Sequence, residues 1–263
     1  MTKKSAQLLD RLRFRIRVFR ELAGRFIILP PERDTIIGKA AVFVVSEAIE
    51  GDYLEFGVYK GESLATAYRT FEAVYSREMS SSTSSNPQRC EDLKKRWDSM
   101  RFFAFDSFQG LPELKGPDSL TKDFTPGQFR TSSDEFWAHL RRRKIDTSKV
   151  VAVEGWFEDT LTDDTRTRLG IKKAAVVHID SDLYASAKLA LSFITPVLQD
   201  GTILIFDDWF NYRGHPALGE RRALREWHEQ NPKWGLTEYH KEGVRRNSFI
   251  VNDLTLRADL VTT

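Results

Sequence analysis

The chain has 263 residues, and 41% of them are hydrophobic, which is enough to build one sizeable core. Its formal net charge of +2 at pH 7 is too small to favour binding to nucleic acid. The single cysteine, Cys90, excludes a disulfide within the chain, so a reducing compartment is expected. No apolar run reaches the ~18–20 residues of a membrane span, and Met1 leads into no apolar signal region, so we expect a cytoplasmic protein without a membrane partner.

The first 50 residues are expected to form a helical extension. Residues 36–49 are apolar on most faces, which is typical of a buried or interfacial helix and compatible with a homodimer. Residues 11–20 alternate arginine with apolar side chains. This period of two suits a strand, although arginine stems that cover apolar surface also allow a helix. We interpret this segment as a solvated arm facing an oligomer partner, or as a contact for an anionic surface or substrate.

Residues 51–263 are expected to form one domain in which short apolar strands alternate with helices. Such alternation is typical of a mainly parallel sheet with helices on both faces, a Rossmann-like α/β fold. The last two strands leave no room for a helix between them, so they should pair antiparallel at the sheet edge. The expected strands are 53–56, 101–105, 150–153, 174–179, 202–206, 236–240 and 248–251, and the main helices are 63–75, 186–198 and 218–230.

Two segments interrupt this alternation. Residues 80–87 are rich in serine, which predicts a flexible excursion that lengthens the first crossover. Residues 110–149 are long, polar and contain several prolines and glycines, with a helix expected over 133–143. An insertion of this length inside a compact domain is often a lid or a substrate-shaping element. We expect it to cover a pocket together with the loop 210–216.

The first strand ends in a pattern that suits a ligand with a cationic group. Glu55 stands at the strand end, and the turn that follows contains Gly57 and Gly61 before a helix begins near Ser63. Glycines let the backbone approach a ligand closely, and the carboxylate of Glu55 can accept a hydrogen bond from an ammonium group. S-adenosylmethionine fits such a site, whereas a dinucleotide requires Gly-x-Gly-x-x-Gly. An ordinary tight turn is the alternative.

The second and third strands also end in candidate cofactor residues, because ligands of parallel sheets bind at the carboxyl ends of the strands. Asp106 can accept from both ribose hydroxyls, unless it only caps a helix. Trp156 can pack on adenine, although a core or lid position is the alternative. The candidate cofactor-binding residues are Glu55, Gly57, Val58, Gly61, Ser63, Asp106, Ser107, Phe108, Trp156 and Asp180.

Aspartates cluster after the fourth and fifth strands. Asp180 and Asp182 follow one apolar run, and Asp207 and Asp208 follow the next. Several buried anions are costly unless they pair with or coordinate a cation. Because the two strands should be neighbours, we expect Asp180, Asp207 and Asp208 to bind one divalent metal ion. Oxygen ligands favour Mg²⁺, with Mn²⁺ or Ca²⁺ as alternatives, over zinc. The competing interpretation is that these aspartates cap the following helices.

Taken together, these motifs resemble the macrocin O-methyltransferase family of metal- and S-adenosylmethionine-dependent enzymes with a class I methyltransferase fold. The resemblance implies that Asp180, Asp207 and Asp208 bind the metal and that Asp182 is the catalytic base. At the position of the lysine base of related catechol methyltransferases the chain has Leu183, which favours sugar-like or other aliphatic hydroxyls as acceptors. The matching segments are 54–61, 105–113, 155–161, 178–184 and 206–209.

Alternatives remain for the base and for the function. His178 is a rival base, but its place inside a strand favours a core histidine, whereas His215 lies in a loop and can meet substrate. A nicotinamide-dependent oxidoreductase is disfavoured because Val58, and no second glycine, follows Gly57. A non-catalytic protein that binds S-adenosylmethionine or assembles with others is the other alternative, because a fold alone does not prove activity.

Overall fold

The computed structural model of the protein describes residues 34–82, 86–120 and 122–256, so the arginine-rich segment 11–20 lies outside the described residues. No helix in these ranges has both the length and the apolar character needed to cross a membrane. The strands are β1 (Asp52–Phe56), β2 (Phe102–Asp106), β3 (Val150–Glu154), β4 (Ala174–Ile179), β5 (Ile203–Phe206), β6 (Trp234–Glu242) and β7 (Arg246–Asp253). The α-helices are α1 (Ile36–Ser46), α2 (Glu62–Ser82), α3 (Pro87–Ser99), α4 (Ser133–Arg142), α5 (Phe157–Thr160), α6 (Asp163–Arg168), α7 (Tyr184–Ile194) and α8 (Gly219–Gln230).

The strands described form one sheet in the order β3-β2-β1-β4-β5-β7-β6. β1 to β5 are parallel, and β7 runs antiparallel to both β5 and β6. The chain builds outward from β1 to β3 and then returns to place β4 on the other side of β1. The strand order therefore reverses between β1 and β4, and a crevice opens at their carboxyl ends. The predicted parallel sheet with an antiparallel edge pair is confirmed.

Both faces of the sheet are covered, which explains why the strand sequences are apolar at consecutive positions. Alternate side chains of each strand point to opposite faces. Tyr53 and Phe102 belong to the core under α1 to α4, whereas Leu54 and Phe103 belong to the core under α7 and α8. α1 also joins the sheet edge, because the Ile36 amide donates to Glu242 of β6 at 3.0 Å.

The serine-rich segment differs from its prediction. α2 continues to Ser82, and a second helix, α3, begins at Pro87 after Asn86, whose side chain accepts from the Arg89 amide at 3.0 Å. The predicted flexible excursion is therefore wrong for residues 80–82 and 86–87. The sequence did not predict α3, because this helix is strongly charged and Leu93 is its one buried residue.

The insertion at residues 110–149 has two parts with different surroundings. Backbone hydrogen bonds between Leu111 and the 127–128 segment close the base of the first part, which holds a 3₁₀ helix at Gly116–Leu120. The second part contains α4, whose Phe136 and Leu140 are fully buried in the main core. The ring of Phe136 lies 5.7 Å from that of Phe108, centroid to centroid. α4 is thus core structure, and only the first part overlies the crevice.

Candidate active site

The carboxyl ends of β1, β2, β4 and β5 surround a cavity of about 320 Å³. It brings together both halves of the site expected from the sequence. The predicted residues that line it are Gly57, Asp106, Ser107, Trp156, Asp180, Asp182, Asp207 and Asp208. The predicted residues that do not belong to this lining are Glu55, Val58, Gly61, Ser63 and Phe108.

Gly57 permits the close approach of the β1 and β4 ends. Its φ is +88°, and a Cβ there would lie 1.9 Å from the carbonyl oxygen of Asp180. The Asp180 amide donates to the Phe56 carbonyl at 2.9 Å, which fixes this approach. Gly61 has φ +83°, and a Cβ there would lie 2.8 Å from the ring of Phe136. Packing against other chain segments therefore explains both glycines, in addition to any contact with a ligand.

Asp106 ties the turn after β1 to the turn after β2. Its Oδ2 accepts from the amides of Val58 and Tyr59 at 2.8 and 2.9 Å, and its Oδ1 accepts from the Phe108 amide at 2.7 Å. Burial raises the pKa of this carboxyl, and the three amides oppose that effect. Val58 and Phe108 thus contribute backbone donors, while their side chains are buried in the core. Asp106 joins two loops instead of capping one helix, and it still borders the cavity.

Glu55 is fully buried beneath the cavity and is bonded to protein groups at both oxygens. Tyr53 donates to Oε2 at 2.7 Å and Ser63 donates to Oε1 at 2.5 Å. His178 lies directly across from Glu55 in the β1–β4 register, and its Nδ1 is 3.6 Å from Glu55 Oε2 and 3.0 Å from the Tyr53 hydroxyl. A direct contact of Glu55 or Ser63 with a cofactor stays a prediction.

His178 connects this buried group to the acidic cluster. Its Nε2 lies 3.3 Å from Asp207 Oδ1, because alternate residues of β1, β4 and β5 face the same side of the sheet. Burial alone lowers the pKa of His178, but hydrogen bonds to Asp207 and Glu55 raise it to about 10. Both ring nitrogens have protein partners and the side chain is buried. This placement agrees with the prediction of a core histidine.

Within the described residues, the side chains whose ligand atoms lie within 4.8 Å of one another are His178, Asp180 and Asp207. Asp208 lies outside that group. The Oδ1 atom of Asp207 also accepts from Arg246 Nε at 2.6 Å, and although burial raises the pKa of Asp207, His178 and Arg246 together lower it. Burial, followed by the charge of Asp207, raises the pKa of Asp180 well above its usual value. A cation beside Asp180 would offset this repulsion between buried carboxylates.

Asp208 has one buried oxygen that receives no hydrogen bond from an N–H or hydroxyl group of the described residues. Its Oδ1 accepts from Asn211 Nδ2 at 2.7 Å, whereas Oδ2 has no such donor, and the carboxyl of Asp182 lies close enough to share a proton with that of Asp208. The backbone amide of Asp208 donates to Glu220 Oε2 at 3.0 Å. A buried acceptor without a partner costs about 1–3 kcal/mol. The free oxygen of Asp208 and the converging carboxylates of Asp180 and Asp207 form an all-oxygen donor set that fits a hard divalent cation, while His178 holds Asp207 by a hydrogen bond.

Asp182 lines the cavity in a backbone conformation that is uncommon for aspartate, with φ +57°. The Tyr212 hydroxyl donates to its carbonyl oxygen at 3.1 Å. Burial, and next the charge of Asp208, raises the pKa of Asp182 to about 8, while Arg245 opposes this shift. The rival base His215 is exposed and lies outside the cavity lining, and its Nδ1 accepts from the Ala217 amide at 3.2 Å.

Several cavity residues were missed by the sequence analysis. Trp156, which was predicted, is joined on its wall by Phe157 and Glu158, and Arg245 reaches the cavity from the β6–β7 hairpin. Of the two segments expected to cover the cavity, the insertion contributes lining residues and the loop 210–216 contributes none. Phe157 and Glu158 directly follow the predicted Trp156, whereas no local sequence signal marks Arg245, because the fold brings it from a distant segment. The further lining residues are Tyr59, Gly110, Leu111, Pro112, Phe129, Ser181 and Ser186.

The family described as macrocin-O-methyltransferase (TylF) matches residues 93–232, which are more than half of the chain. The chain belongs to the macrocin O-methyltransferase family. A curated relative is the 8-demethyl-8-(2,3-dimethoxy-α-L-rhamnosyl)-tetracenomycin-C 4′-O-methyltransferase of Streptomyces olivaceus, which is 27% identical over 193 residues. The match covers 67% of this chain and 63% of that relative, so the chain spans less than two thirds of the relative's length.

Solved structures agree with the fold of this macrocin O-methyltransferase family member. The O-methyltransferase NovP has a TM-score of 0.61 and 19% identity, over 84% of this chain and 80% of that chain. The O-methyltransferase from Bacillus cereus, solved in complex with S-adenosylhomocysteine, has a TM-score of 0.51 and 13% identity, over 90% of this chain and 89% of that chain. These similarities confirm the predicted class I methyltransferase fold.

Proposed function

We propose that the protein is a metal-dependent O-methyltransferase that transfers the methyl group of S-adenosylmethionine to a hydroxyl of a sugar-like acceptor. One observation carries this proposal. A single cavity joins the glycine turn of β1 and Asp106 to the acidic cluster of Asp180, Asp182, Asp207 and Asp208. A methyl donor and an acceptor hydroxyl must meet within bonding distance, and this cavity offers a separate wall for each.

The donor side is the wall formed by the ends of β1 to β3. Binding of the donor as such is supported by the Bacillus cereus neighbour, which was solved in complex with S-adenosylhomocysteine. Asp106 would accept from the ribose hydroxyls with the lone pairs that its three amide bonds leave free. Trp156, at the end of β3, would pack on the adenine, and Gly57 would let the backbone approach the amino-acid end of the donor.

The acceptor side is the wall formed by β4 and β5. Asp180, Asp207 and Asp208 would hold Mg²⁺, with Mn²⁺ as an alternative. When bound, such a cation supplies a positive charge that lowers the pKa of an acceptor hydroxyl and fixes its direction. Arg246 and His178 occupy one oxygen of Asp207, so these two residues determine which carboxylate oxygen faces the cation.

Asp182 would act as the general base because its carboxylate borders the cavity in the loop next to Asp180. It would take the proton of the acceptor hydroxyl as that oxygen bonds to the methyl carbon. The bond between sulfur and the methyl carbon breaks, its electron pair stays on sulfur, and S-adenosylhomocysteine leaves. Orientation of the two reactants by the cavity walls would supply on the order of 7–11 kcal/mol of the barrier reduction.

The acceptor class is inferred from what surrounds Asp182. Leu183 is buried and offers no base of the catechol type, and the relative from Streptomyces olivaceus is named for a rhamnosyl acceptor. Tyr59 and Phe129 are partly exposed, their ring centroids lie 6.3 Å apart, and both line the cavity. Aromatic faces of this kind pack well against the apolar face of a sugar or against a polyketide ring.

The test is a methyl-transfer assay with S-adenosylmethionine, Mg²⁺ and three acceptors, read by mass spectrometry. The acceptors are 8-demethyl-8-(2,3-dimethoxy-α-L-rhamnosyl)-tetracenomycin C, methyl α-L-rhamnoside and catechol. We expect a methylated rhamnoside and no methylated catechol, with loss of product in the presence of a chelator. Product from catechol alone would overturn the acceptor class. Binding of S-adenosylhomocysteine without transfer to a wider set of glycosides would instead favour the non-catalytic alternative.

A further inference from the structure

The first part of the insertion is attached to the loop that carries Asp182 by one buried carboxylate. Asp118 lies in the 3₁₀ helix Gly116–Leu120 and is 3% exposed. Its Oδ1 accepts from the Tyr184 amide at 2.9 Å and its Oδ2 accepts from the Ala185 amide at 3.0 Å. These amides open α7, which follows Asp182 after a single residue.

Asp118 therefore caps α7 from another part of the chain. The first amides of a helix have no partner within the helix, and the preceding side chain usually accepts from one of them. Leu183 stands at that place in α7 and has no acceptor to offer. The cap comes instead from a residue 66 positions earlier. The negative charge of Asp118 also lies at the positive end of the α7 dipole, so the start of this helix depends on the position of the insertion.

A second contact joins the same two segments. Phe124, which is buried, packs its ring against Tyr212 with the ring centroids 6.0 Å apart. The Tyr212 hydroxyl donates to the Asp182 carbonyl. Gly219, with φ +54°, leaves room for the Tyr212 ring, because a Cβ there would lie 2.6 Å from it. The insertion thus contacts the Asp182 loop on both sides, directly through Asp118 and indirectly through Tyr212.

These contacts matter for Asp182 because its backbone is in the left-handed conformation, with φ +57°. A left-handed backbone is sparsely populated for residues other than glycine, and it persists only where the surrounding structure determines it. Asp182 is held at its carbonyl by Tyr212, and the two amides of the turn that follows are held by Asp118. If the insertion moved away, both supports would weaken together and the carboxylate of Asp182 would lose its fixed direction into the cavity.

We propose that Asp118 is a positioning residue that locks the insertion to the Asp182 loop, so that the two segments open and close as one unit. The catalytic consequence rests on the proposed function, in which Asp182 is the base. The mechanical coupling does not, because it follows from the hydrogen bonds alone. The insertion would then cover the acceptor and orient the base in a single movement.

The coupling is tested by hydrogen–deuterium exchange of the full-length protein, followed in peptides from residues 111–128 and 181–187. In Asp118→Ala we expect exchange to rise about tenfold in both peptides, because an N-cap holds the first turn of a helix closed. Asp118→Asn keeps one acceptor oxygen and should give an intermediate rise in both. Asp146→Ala is the matched control, since Asp146 is an exposed cap that accepts from the Ser148 amide at 3.0 Å in the same insertion. It should change neither peptide.

A rise confined to residues 111–128, or no rise in either peptide, would overturn the coupling. The catalytic part is measured as methyl transfer to the rhamnosyl-tetracenomycin acceptor, together with calorimetric binding of S-adenosylhomocysteine. Asp118→Ala should lower kcat about tenfold and change the affinity for S-adenosylhomocysteine by less than about twofold. The kcat of Asp118→Asn should lie between that of Asp118→Ala and that of the native protein. Coupled exchange with a native kcat would overturn the positioning role. An absence of transfer in the native protein would count against the proposed function, and the exchange experiment would still decide the coupling.

Discussion

Gly57→Ala should lower the free energy of unfolding more than an alanine placed at a glycine that has free space around its Cα. The substitution combines two penalties. A residue with a Cβ at φ +88° is strained, which costs about 1–3 kcal/mol. The new Cβ would also lie 1.9 Å from the Asp180 carbonyl oxygen, so the ends of β1 and β4 must separate by about 1.5 Å to reach an ordinary contact of 3.4 Å.

That separation breaks or weakens the hydrogen bond from the Asp180 amide to the Phe56 carbonyl, now 2.9 Å long. A hydrogen bond of this kind contributes about 0.5–1.5 kcal/mol. The expected total is about 2–4 kcal/mol, which corresponds to roughly 4–15 °C in Tm for a protein of this size. Because Asp180 moves with β4, the affinity for a divalent cation should fall as well.

Urea denaturation compares this variant with Gly170→Ala. Gly170 has φ +63° and open space where a Cβ would stand, so it carries backbone strain without a clash. We expect Gly170→Ala to cost about 1–2 kcal/mol and to leave Mn²⁺ binding unchanged, as followed by electron paramagnetic resonance. Equal losses of stability in the two variants would refute the reasoning, because they would show that the contact with Asp180 adds nothing.

Three further variants test the two walls of the cavity. Asp106→Ala leaves three amides without their acceptor and should weaken the calorimetric affinity for S-adenosylhomocysteine at least about tenfold, whereas equal affinity would remove Asp106 from the donor site. Asp207→Ala should reduce Mn²⁺ binding at least about tenfold, while the exposed Asp163→Ala should not, and retained Mn²⁺ would exclude the proposed cation position. Asp182→Asn should keep S-adenosylhomocysteine binding and lower kcat by about 10²-fold or more; a variant that turns over like the native protein would show that another group takes the proton.

The sheet was predictable because its strands are short apolar runs. Residues 174–179 and 202–206 were located almost to the residue, since burial on both faces leaves little choice of side chain. The helix α3 was not predictable in the same way. It presents charge on most sides and buries Leu93 alone, so its sequence resembles a solvated linker that follows a run of serines.

The candidate site was predictable to the extent that it depends on strand ends. Asp180 and Asp207 converge because β4 and β5 are adjacent and parallel, which the order of the elements already indicates. The residues that contact these carboxylates could not be predicted from the sequence. Arg246 and Arg245 come from the last hairpin, and Glu220, which fixes the Asp208 amide, comes from the start of α8. Such contacts depend on tertiary packing, and a single sequence contains no local signal for them.

The two parts of the insertion differ in how freely their sequence can change. Residues 111–128 form a loop whose ends meet through backbone hydrogen bonds, so its interior can be exchanged without disturbing the strands. α4 cannot be exchanged in this way, because Phe136 and Leu140 help to build the core. A different loop grafted between these fixed anchor points is therefore expected to reshape the wall over the proposed acceptor site, provided that the graft retains an acid at the place of Asp118.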